Sequence, residues 1–123
     1  MAAPAAQGCG HCIEDRVAAV YDHAVIGKAR ERRHQLAFFA LEGPLPVGDE
    51  SRRLIARALS SETGVDLTSL RVSVDAASLS LAYDAERISV VRIGSTLSRK
   101  LAARGLRVSP LEPRAGRAAN AGS

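Results

Sequence analysis

The sequence predicts an α+β sandwich whose elements follow the order β-α-β-β-α-β, preceded by a helical extension. Residues 70–75 and 79–84 each alternate apolar and polar side chains, which is typical of two paired antiparallel strands. Helical patterns at 51–61 and 89–105 lie on either side of this hairpin, and a short apolar run precedes the first of them. This order is that of the split βαβ, or ferredoxin-like, sandwich.

The first strand is predicted at residues 36–41, a continuous apolar run of strand length. The loop at residues 43–48 contains two prolines and two glycines and therefore cannot be regular structure. Asp49 or Ser51 is expected to cap the following helix, which would end near Ser61. The predicted buried face of this helix comprises Leu54, Ile55, Ala58 and Leu59.

The hairpin that follows is expected to have one buried face and one exposed face, as in a sheet covered by helices on one side only. Its buried set would be Leu70, Val72, Val74, Leu79, Leu81 and Tyr83. Ser89 is expected to cap the second helix and Gly105 to end it, before a short strand at 106–108. The apolar face of that helix comprises Val90, Ile93, Leu97 and Leu101. From Pro110 onward, the composition is typical of a linker or tail.

The N-terminal extension is predicted to be helical from residue 13 to 21, where apolar residues recur at intervals of three and four. After Asp22 the pattern allows either a further helix with a weak point at Gly27 or a short extended piece broken there, and we favour the helix. We therefore divide the chain into an extension at 1–33, a sandwich at 34–109 and a flexible tail or linker at 110–123.

Composition narrows the class of protein. The chain has 123 residues, of which 46% are hydrophobic but only 3% aromatic, so one domain with an aliphatic core is expected. No apolar run approaches the roughly 18 residues that cross a bilayer, and no signal peptide is recognisable, so we expect a cytoplasmic protein without direct membrane insertion. The net charge of +4 comes from scattered arginines without aromatic platforms, which argues against nucleic-acid binding. The sequence shows neither a nucleophile–base pair nor a pair of catalytic acids, so we do not expect an enzyme.

Cys9 and Cys12 form the motif Cys-Gly-His-Cys directly before the extension helix. A disulfide between them would close too short a loop to stabilise much, so metal binding or redox chemistry in a reducing compartment is the better interpretation. Two thiolates at a helix N-terminus can bind one ion. The expected further ligands are His11, Glu14 and Asp15, with His23 and His34 as alternatives. Zn²⁺ would combine the sulfurs with nitrogen or oxygen ligands, whereas Cu⁺ would accept the two sulfurs alone.

The same four letters are similar to the active-site motif of protein disulfide isomerases. In that thioredoxin-like fold the motif follows a strand and usually a tryptophan. Here only eight residues precede Cys9, and the chain contains no tryptophan. A thiol–disulfide oxidoreductase is therefore the weaker interpretation of the motif.

Residues 35–109 carry several short patterns in a fixed order. A strand end and a glycine occur at 41–43, a turn glycine at 64–65, a central hairpin at 69–83, and a helix, a glycine and a closing strand at 89–108. In this order and spacing the chain resembles a heavy-metal-associated domain, the module of metallochaperones and of the cytosolic N-termini of metal-transporting P-type ATPases.

The chain departs from that family in the loop that holds the metal. The family loop carries Met-x-Cys-x-x-Cys, whereas residues 43–51 read Gly-Pro-Leu-Pro-Val-Gly-Asp-Glu-Ser and contain no cysteine. No ligand can be carried over to this loop. Asp49 and Glu50 lie in the corresponding region, but carboxylates alone are poor ligands for a soft metal, and helix capping is their simpler role.

The resemblance implies a soluble domain that senses or delivers Zn²⁺ or Cu⁺, in the N-terminal region of a metal-transporting P-type ATPase. A stand-alone metallochaperone is the nearest variant, and other ATPase domains or a metallochaperone are the implied protein partners. We expect the extension to fold against the sandwich and to bring Cys9 and Cys12 within reach of a further ligand. The alternative is a metal-free protein-interaction or regulatory module with the same fold.

Overall fold

The computed structural model describes residues 13–111, with only the backbone described at positions 13 and 14. The described elements are α1 (Ile13–Ala19), α2 (His23–Arg32), β1 (Gln35–Glu42), α3 (Asp49–Leu59), β2 (Val65–Ser73), β3 (Ser78–Tyr83), α4 (Val90–Leu101), a 3-10 turn (Ala102–Arg104) and β4 (Arg107–Leu111). No helix in this part of the chain combines the length and the apolar character that a membrane span requires.

The four strands form one antiparallel sheet in the order β2-β3-β1-β4. Strand β1 is central and pairs with β3 on one side and with β4 on the other. Helix α3 follows β1, helix α4 follows β3, and the two helices pack on each other and on one face of the sheet. This is the ferredoxin-like βαββαβ sandwich, so the predicted fold class is confirmed.

The core between the sheet and helices α3 and α4 is almost entirely aliphatic. Its fully buried side chains are Phe39, Leu41, Ile55, Leu59, Leu70, Leu79, Leu81, Ile93, Leu97 and Leu101. Four residues that the sequence assigned to this core are less buried than expected. Leu54, Val72 and Val90 are only partly buried, and Val74 lies in the turn after β2 outside the core cluster.

The extension covers the second face of the sheet, so the predicted exposed face is wrong for β3. All six residues of this strand are buried. On its second face, the hydroxyl of Ser78 donates to the main-chain oxygen of Arg16 at 2.7 Å, and that of Ser80 donates to Val20 at 2.8 Å. Polar side chains are buried here because each one has a hydrogen-bond partner on the extension.

The extension contains two helices, and the break between them lies at residues 20–22. Helix α2 runs through Gly27 without interruption, so the weak point predicted at this glycine is absent from the described helix. Asp22 supplies the N-cap of α2, because its carboxylate accepts from the backbone N–H of Ala24 at 2.9 Å and of Val25 at 3.3 Å. The capping residue therefore decides where α2 begins.

Two ion pairs tie the extension to β2. The guanidinium of Arg71 donates to the Asp22 carboxylate at 2.9 Å, and Arg32 lies 3.2 Å from Asp66. The hydrogen bond from Arg71 and those from two backbone N–H groups lower the pKa of Asp22 below its ordinary value of 3.8. The apolar part of the contact comes from four buried side chains: Val17, Val20, Val25 and Ala29.

The two sandwich helices begin in different ways. Gly48, with a φ of 65°, occupies the N-cap position of α3 and makes no side-chain hydrogen bond. The hydroxyl of Ser51 instead donates back to the Gly48 carbonyl at 2.9 Å, so the predicted capping by Asp49 or Ser51 is wrong. Ser89 does cap α4 as predicted, because its hydroxyl accepts from the backbone N–H of Arg92 at 3.1 Å.

The edges of the sheet are irregular. Strand β2 begins at Val65, earlier than predicted, and its pairing with β3 shifts register between Asp66 and Arg71. In this bulge, Arg52 and Arg71 donate to three main-chain carbonyls, those of Leu67, Thr68 and Leu70. At the other edge, β4 extends to Leu111 and includes Pro110, which an edge strand tolerates.

Two glycines allow the loop before α3 to cross the turn before β4. Gly43 has a φ of 123°, and a Cβ at this position would collide with the carbonyl oxygen of Gly105. Gly105 itself has a φ of 77° and ends the 3-10 turn after α4, in agreement with its predicted role as a helix terminator.

We expect Gly43→Ala to lower the free energy of unfolding by about 2–3 kcal/mol, because the added methyl group collides with rigid backbone at a strained φ. Urea unfolding followed by circular dichroism measures the change. The matched control is Gly27→Ala, where nothing lies within 4 Å of the added Cβ and helix propensity should raise stability by roughly 0.5–1 kcal/mol. Equal stability of Gly43→Ala and the wild type would contradict the close crossing.

The docking of the extension should weaken in acid. Because the pKa of Asp22 is lowered in the folded protein, its contribution is fully present above the ordinary value of 3.8 and is lost as the pH falls through the lowered value. Hydrogen exchange of α1 and α2 amides should therefore accelerate below about pH 4. Asp22→Asn keeps a capping oxygen but loses the ion pair. The α1 and α2 amides of this variant should therefore exchange faster at neutral pH, and their exchange should not accelerate further below about pH 4. Asp49→Asn, on α3 at the opposite face of the sheet, should behave as the wild type does.

Candidate metal centre

The predicted ligands divide between the described and the undescribed parts of the chain. Cys9, His11 and Cys12 lie outside the described residues, and of Glu14 only the backbone is described. Asp15 lies in the first turn of α1 with an exposed side chain. In the part of the chain that the structure describes, no three His, Cys, Asp or Glu side chains come together as a metal site would require.

The direction of α1 shows where the cysteine segment joins the sandwich. Ser78 donates a hydrogen bond to Arg16, and Ser80 donates one to Val20. Ser80 lies two residues after Ser78 along β3, and Val20 lies four residues after Arg16 along the extension. Helix α1 therefore runs in the same direction as β3. Its first residue, Ile13, precedes Arg16 by about 4.5 Å along the helix, so α1 begins close to the start of β3.

The start of β3 lies at the end of the sheet from which the loop at 43–48 leaves. Pairing of β1 with β3 continues there to the bond between the Leu41 N–H and the Ala77 carbonyl, at 2.8 Å. On the other side, Glu42 at the end of β1 pairs with Arg107 at the start of β4. We call this edge of the sheet, with its loop, the loop end.

The two alternative ligands, His23 and His34, lie away from the loop end. His34 precedes Gln35, which pairs with the last residue of β3, and this strand of 6 residues spans roughly 17 Å. His23 is separated from the start of α1 by that helix of 7 residues, about 10 Å long. Its ring instead packs edge-on against Tyr21, with centroids 5.1 Å apart. Neither histidine can share an ion with groups at the start of α1.

The carboxylates at the start of α3 are exposed to solvent and form ion pairs within their own helix. Asp49 and Glu50 lie 3.5 Å and 3.8 Å from the guanidinium of Arg53 and are 67% and 62% exposed. The open groove beside them, about 530 Å³ in volume, also contains Arg52 and Asp75, so its charges are mixed. This part of the loop end therefore offers no set of ligands that would replace the missing cysteines.

One carboxylate at the loop end was not singled out by the sequence analysis. Glu42 is the last residue of β1, and because the odd-numbered residues of this strand enter the core, Glu42 lies on the opposite face of the sheet, the face that carries the extension. Its side chain is exposed and makes no hydrogen bond or ion pair with any described residue. The sequence signal for this placement was weak, since residues 36–41 are all apolar and conceal which face each one occupies.

One buried donor lies on α1 close to the cysteine segment. The Nε of Arg16 is buried and has no hydrogen-bond acceptor among residues 13–111. A buried guanidinium nitrogen without an acceptor is costly, so this donor is notable among the described residues.

Comparisons with known proteins concern the fold. No family model matches the chain, and no curated protein matches it. Among solved structures, oxidized MerP from Ralstonia metallidurans CH34 is similar, with a TM-score of 0.47 and 18% identity over 63% of this chain and 96% of that one. A CopZ metallochaperone gives a TM-score of 0.46 and 23% identity over 61% of this chain and 100% of that one. At this level of likeness neither carries a functional argument, and the fold assignment rests on the strand order and register.

Replacing Ser78 and Ser80 by alanine should release α1 from the sheet. Each substitution leaves a main-chain acceptor without its partner, which costs about 1–3 kcal/mol when the group stays buried. We expect faster hydrogen exchange in α1 and unchanged exchange in the core strand β1. Ser95→Ala, at an exposed position of α4, is the matched control. Unchanged exchange in α1 of the double variant would show that the hydroxyls do not hold this helix.

Proposed function

We propose that this chain is a transition-metal-binding module that holds one Zn²⁺ or Cu⁺ ion with the thiols of Cys9 and Cys12. The docking of α1 is the observation that carries the proposal, because two serine hydrogen bonds, to Arg16 and to Val20 just beyond the helix, hold α1 on the sheet in the direction that places its start near the loop end. Cys12 directly precedes Ile13, and adjacent Cα atoms are about 3.8 Å apart. An ion bound by Cys12 would therefore lie close to the end of the sheet that carries the loop at 43–48.

The donor set suits a soft or borderline ion. Two thiolates can bind Cu⁺ without further ligands, whereas Zn²⁺ requires nitrogen or oxygen donors as well. His11, Glu14 and Asp15 are close enough in sequence to supply them. The buried Nε of Arg16 supports this arrangement, because a thiolate of the preceding segment would give it a charge-assisted acceptor.

We further propose that the module senses or delivers its ion and does not catalyse a reaction. The resemblance of residues 35–109 to heavy-metal-associated domains supports a place in the cytosolic N-terminal region of a metal-transporting P-type ATPase. In that setting, residues 1–33 carry the thiols, 34–109 form the sandwich, and 110–123 lead away from it. Other domains of the ATPase or a metallochaperone would be the protein partners.

A metal-free interaction module is the second candidate function. One observation favours it: the loop at 43–48 supplies no ligand, and the acids that follow it are paired with Arg53. The two functions differ in whether the thiols of Cys9 and Cys12 bind an ion.

Titration of the reduced chain with Zn²⁺ and Cu⁺, using chromophoric chelators as competitors, tests the first function. We expect one ion per chain and loss of binding in the double variant Cys9→Ser, Cys12→Ser. Native mass spectrometry under reducing conditions gives the stoichiometry and shows whether two chains share an ion. Equal affinity of the double variant and the wild type, or no binding by either, would reject the metal site and favour the interaction module.

A further inference from the structure

We propose that this chain binds a phosphate group in a cleft where the end of α2 meets the sandwich, with Arg32, His34 and Arg87 as the donors. The ligand would be inorganic phosphate or a small phosphomonoester. This inference goes beyond the metal-binding function proposed above and does not depend on Cys9 or Cys12.

The cleft lies at the end of the sheet opposite to the loop end and has a volume of about 410 Å³, which is the size of a small-molecule pocket. Its walls come from the last turn of α2, the starts of β1 and β2, and the turn between β3 and α4. The starts of β1 and β2 lie on either side of β3, because Gln35 and Val65 both pair with Tyr83. Just beyond this pairing, the N–H of Asp84 donates to the Gly64 carbonyl at 2.7 Å. The extension and the sandwich therefore form the cleft together.

The two carboxylates of the cleft are already engaged, whereas its guanidiniums have donors to spare. Asp66 accepts from the backbone N–H and the hydroxyl of Thr68, and from Arg32 at 3.2 Å. Asp84 accepts from a backbone N–H of the turn that follows it at 3.0 Å and lies 3.7 Å from the Nε of Arg87. Each guanidinium thus meets one carboxylate, although it carries several N–H donors, and the side chains of Arg32 and Arg87 are 56% and 67% exposed. The hydrogen-bonding capacity left in the cleft is therefore mainly that of donors.

His34 adds a donor whose position is set by burial. Its Nδ1 is buried and has no hydrogen-bond partner among residues 13–111. A proton on Nδ1 would be a buried N–H without an acceptor, which is rarer in proteins than an acceptor without a donor, so we assign the proton of the neutral ring to Nε2. Nε2 has no partner among these residues either and is not buried, and the ring lines the cleft. The Nε2–H group therefore donates into the cleft.

The backbone around the cleft is compatible with a bound anion. The free carbonyls at the end of a helix repel negative charge. Here the N–H groups of the two residues after α2 donate to the carbonyls of Ala29 and Arg30, at 2.7 Å and 3.1 Å. Gly64 has a φ of 96°, and a Cβ at this position would lie only 2.9 Å from the Cβ of Arg87. The lack of a side chain at Gly64 therefore allows the segment that carries Arg87 to lie against the start of β2.

This donor set suits a phosphate group. The oxygens of a tetrahedral phosphate point in separate directions, so they can accept from donors on three segments at once, whereas a carboxylate offers two oxygens in one plane. Arginine is well suited to phosphate because its planar guanidinium can donate two parallel hydrogen bonds. Two guanidiniums also offset the double negative charge of a phosphomonoester. The cleft has room for a small organic part beside the phosphate.

The test titrates the full chain with inorganic phosphate and with phenyl phosphate at neutral pH and constant ionic strength. Nuclear magnetic resonance follows the backbone amides and the ring of His34 in the wild type, Arg87→Gln and Arg30→Gln. Arg30 is exposed on α2, has no described partner and does not line the cleft, so its replacement makes the same charge change away from the proposed site.

We expect saturable shifts in the wild type that are confined to residues 32–34, 64–66 and 84–87. Arg87→Gln should weaken binding at least about tenfold, since a hydrogen bond to a charged group contributes that much. Arg30→Gln should bind as the wild type does. Because the side chain of Arg87 is 67% exposed, its replacement should leave the fold intact, and circular dichroism checks this.

Hydrogen exchange gives a second readout. A ligand that contacts α2 and the sandwich at once stabilises the docked extension, so phosphate should slow the exchange of α2 amides in the wild type and in Arg30→Gln, and less so in Arg87→Gln. Tighter binding of phenyl phosphate would identify a phosphomonoester as the ligand, and tighter binding of inorganic phosphate would identify the free ion. Shifts that do not saturate, that spread over arginines outside the cleft, or that persist with equal affinity in Arg87→Gln would show that the cleft holds only solvated ion pairs and would overturn the proposal.

Discussion

The arrangement of this molecule depends on a contact between serine hydroxyls and helix carbonyls. Helix α1 has 7 residues and would be marginal in isolation. The carbonyl of Arg16 is among the last four of the helix, which lack intrahelical partners, and Ser78 supplies a donor to it. Ser80 does the same for Val20, just beyond the helix. A short segment thereby gains a defined place on the sheet.

The same contact gives the sheet two unlike faces. The face towards α3 and α4 is a continuous aliphatic core that includes Phe39 and Leu81. On the face towards the extension, β3 contributes small side chains such as Ser80 and Ala82, and arginine–carboxylate pairs lie at the margin. Hydrophobic burial therefore holds the sandwich together, and the extension adds matched polar groups to its own four buried apolar side chains. One carboxylate, that of Asp22, serves there as both a helix cap and an ion-pair partner of β2.

The parts of the fold that follow from local chemistry were predictable from the sequence. The order of the elements follows from the alternation of apolar and polar residues in the hairpin and from the helical patterns on either side of it. The ends of α4 follow from the cap at Ser89 and the terminator at Gly105. The burial of Ser78 and Ser80 was not predictable, because a serine in an alternating strand resembles a solvated position until its distant partner is known. The start of α3 was misassigned because the positive φ of Gly48 leaves the cap position to a glycine.

The sequence proposes the chemistry of the candidate site but not its geometry. The cysteine pair is visible in the sequence, whereas the choice of further donors depends on which ends of the strands meet. Strand register separates His34 from the start of α1 by the length of β3 and brings Glu42 to the same end. Neither relation is encoded in sequence spacing, because the residues that share an end of the sheet come from distant segments.

The irregular edges of the sheet have a consequence for self-association. In β2, the register shift and the arginine side chains occupy carbonyls that a foreign strand would need, and in β4 a proline removes one donor from a strand of 5 residues. Addition of a neighbouring chain's strand is therefore disfavoured at both edges of the sheet.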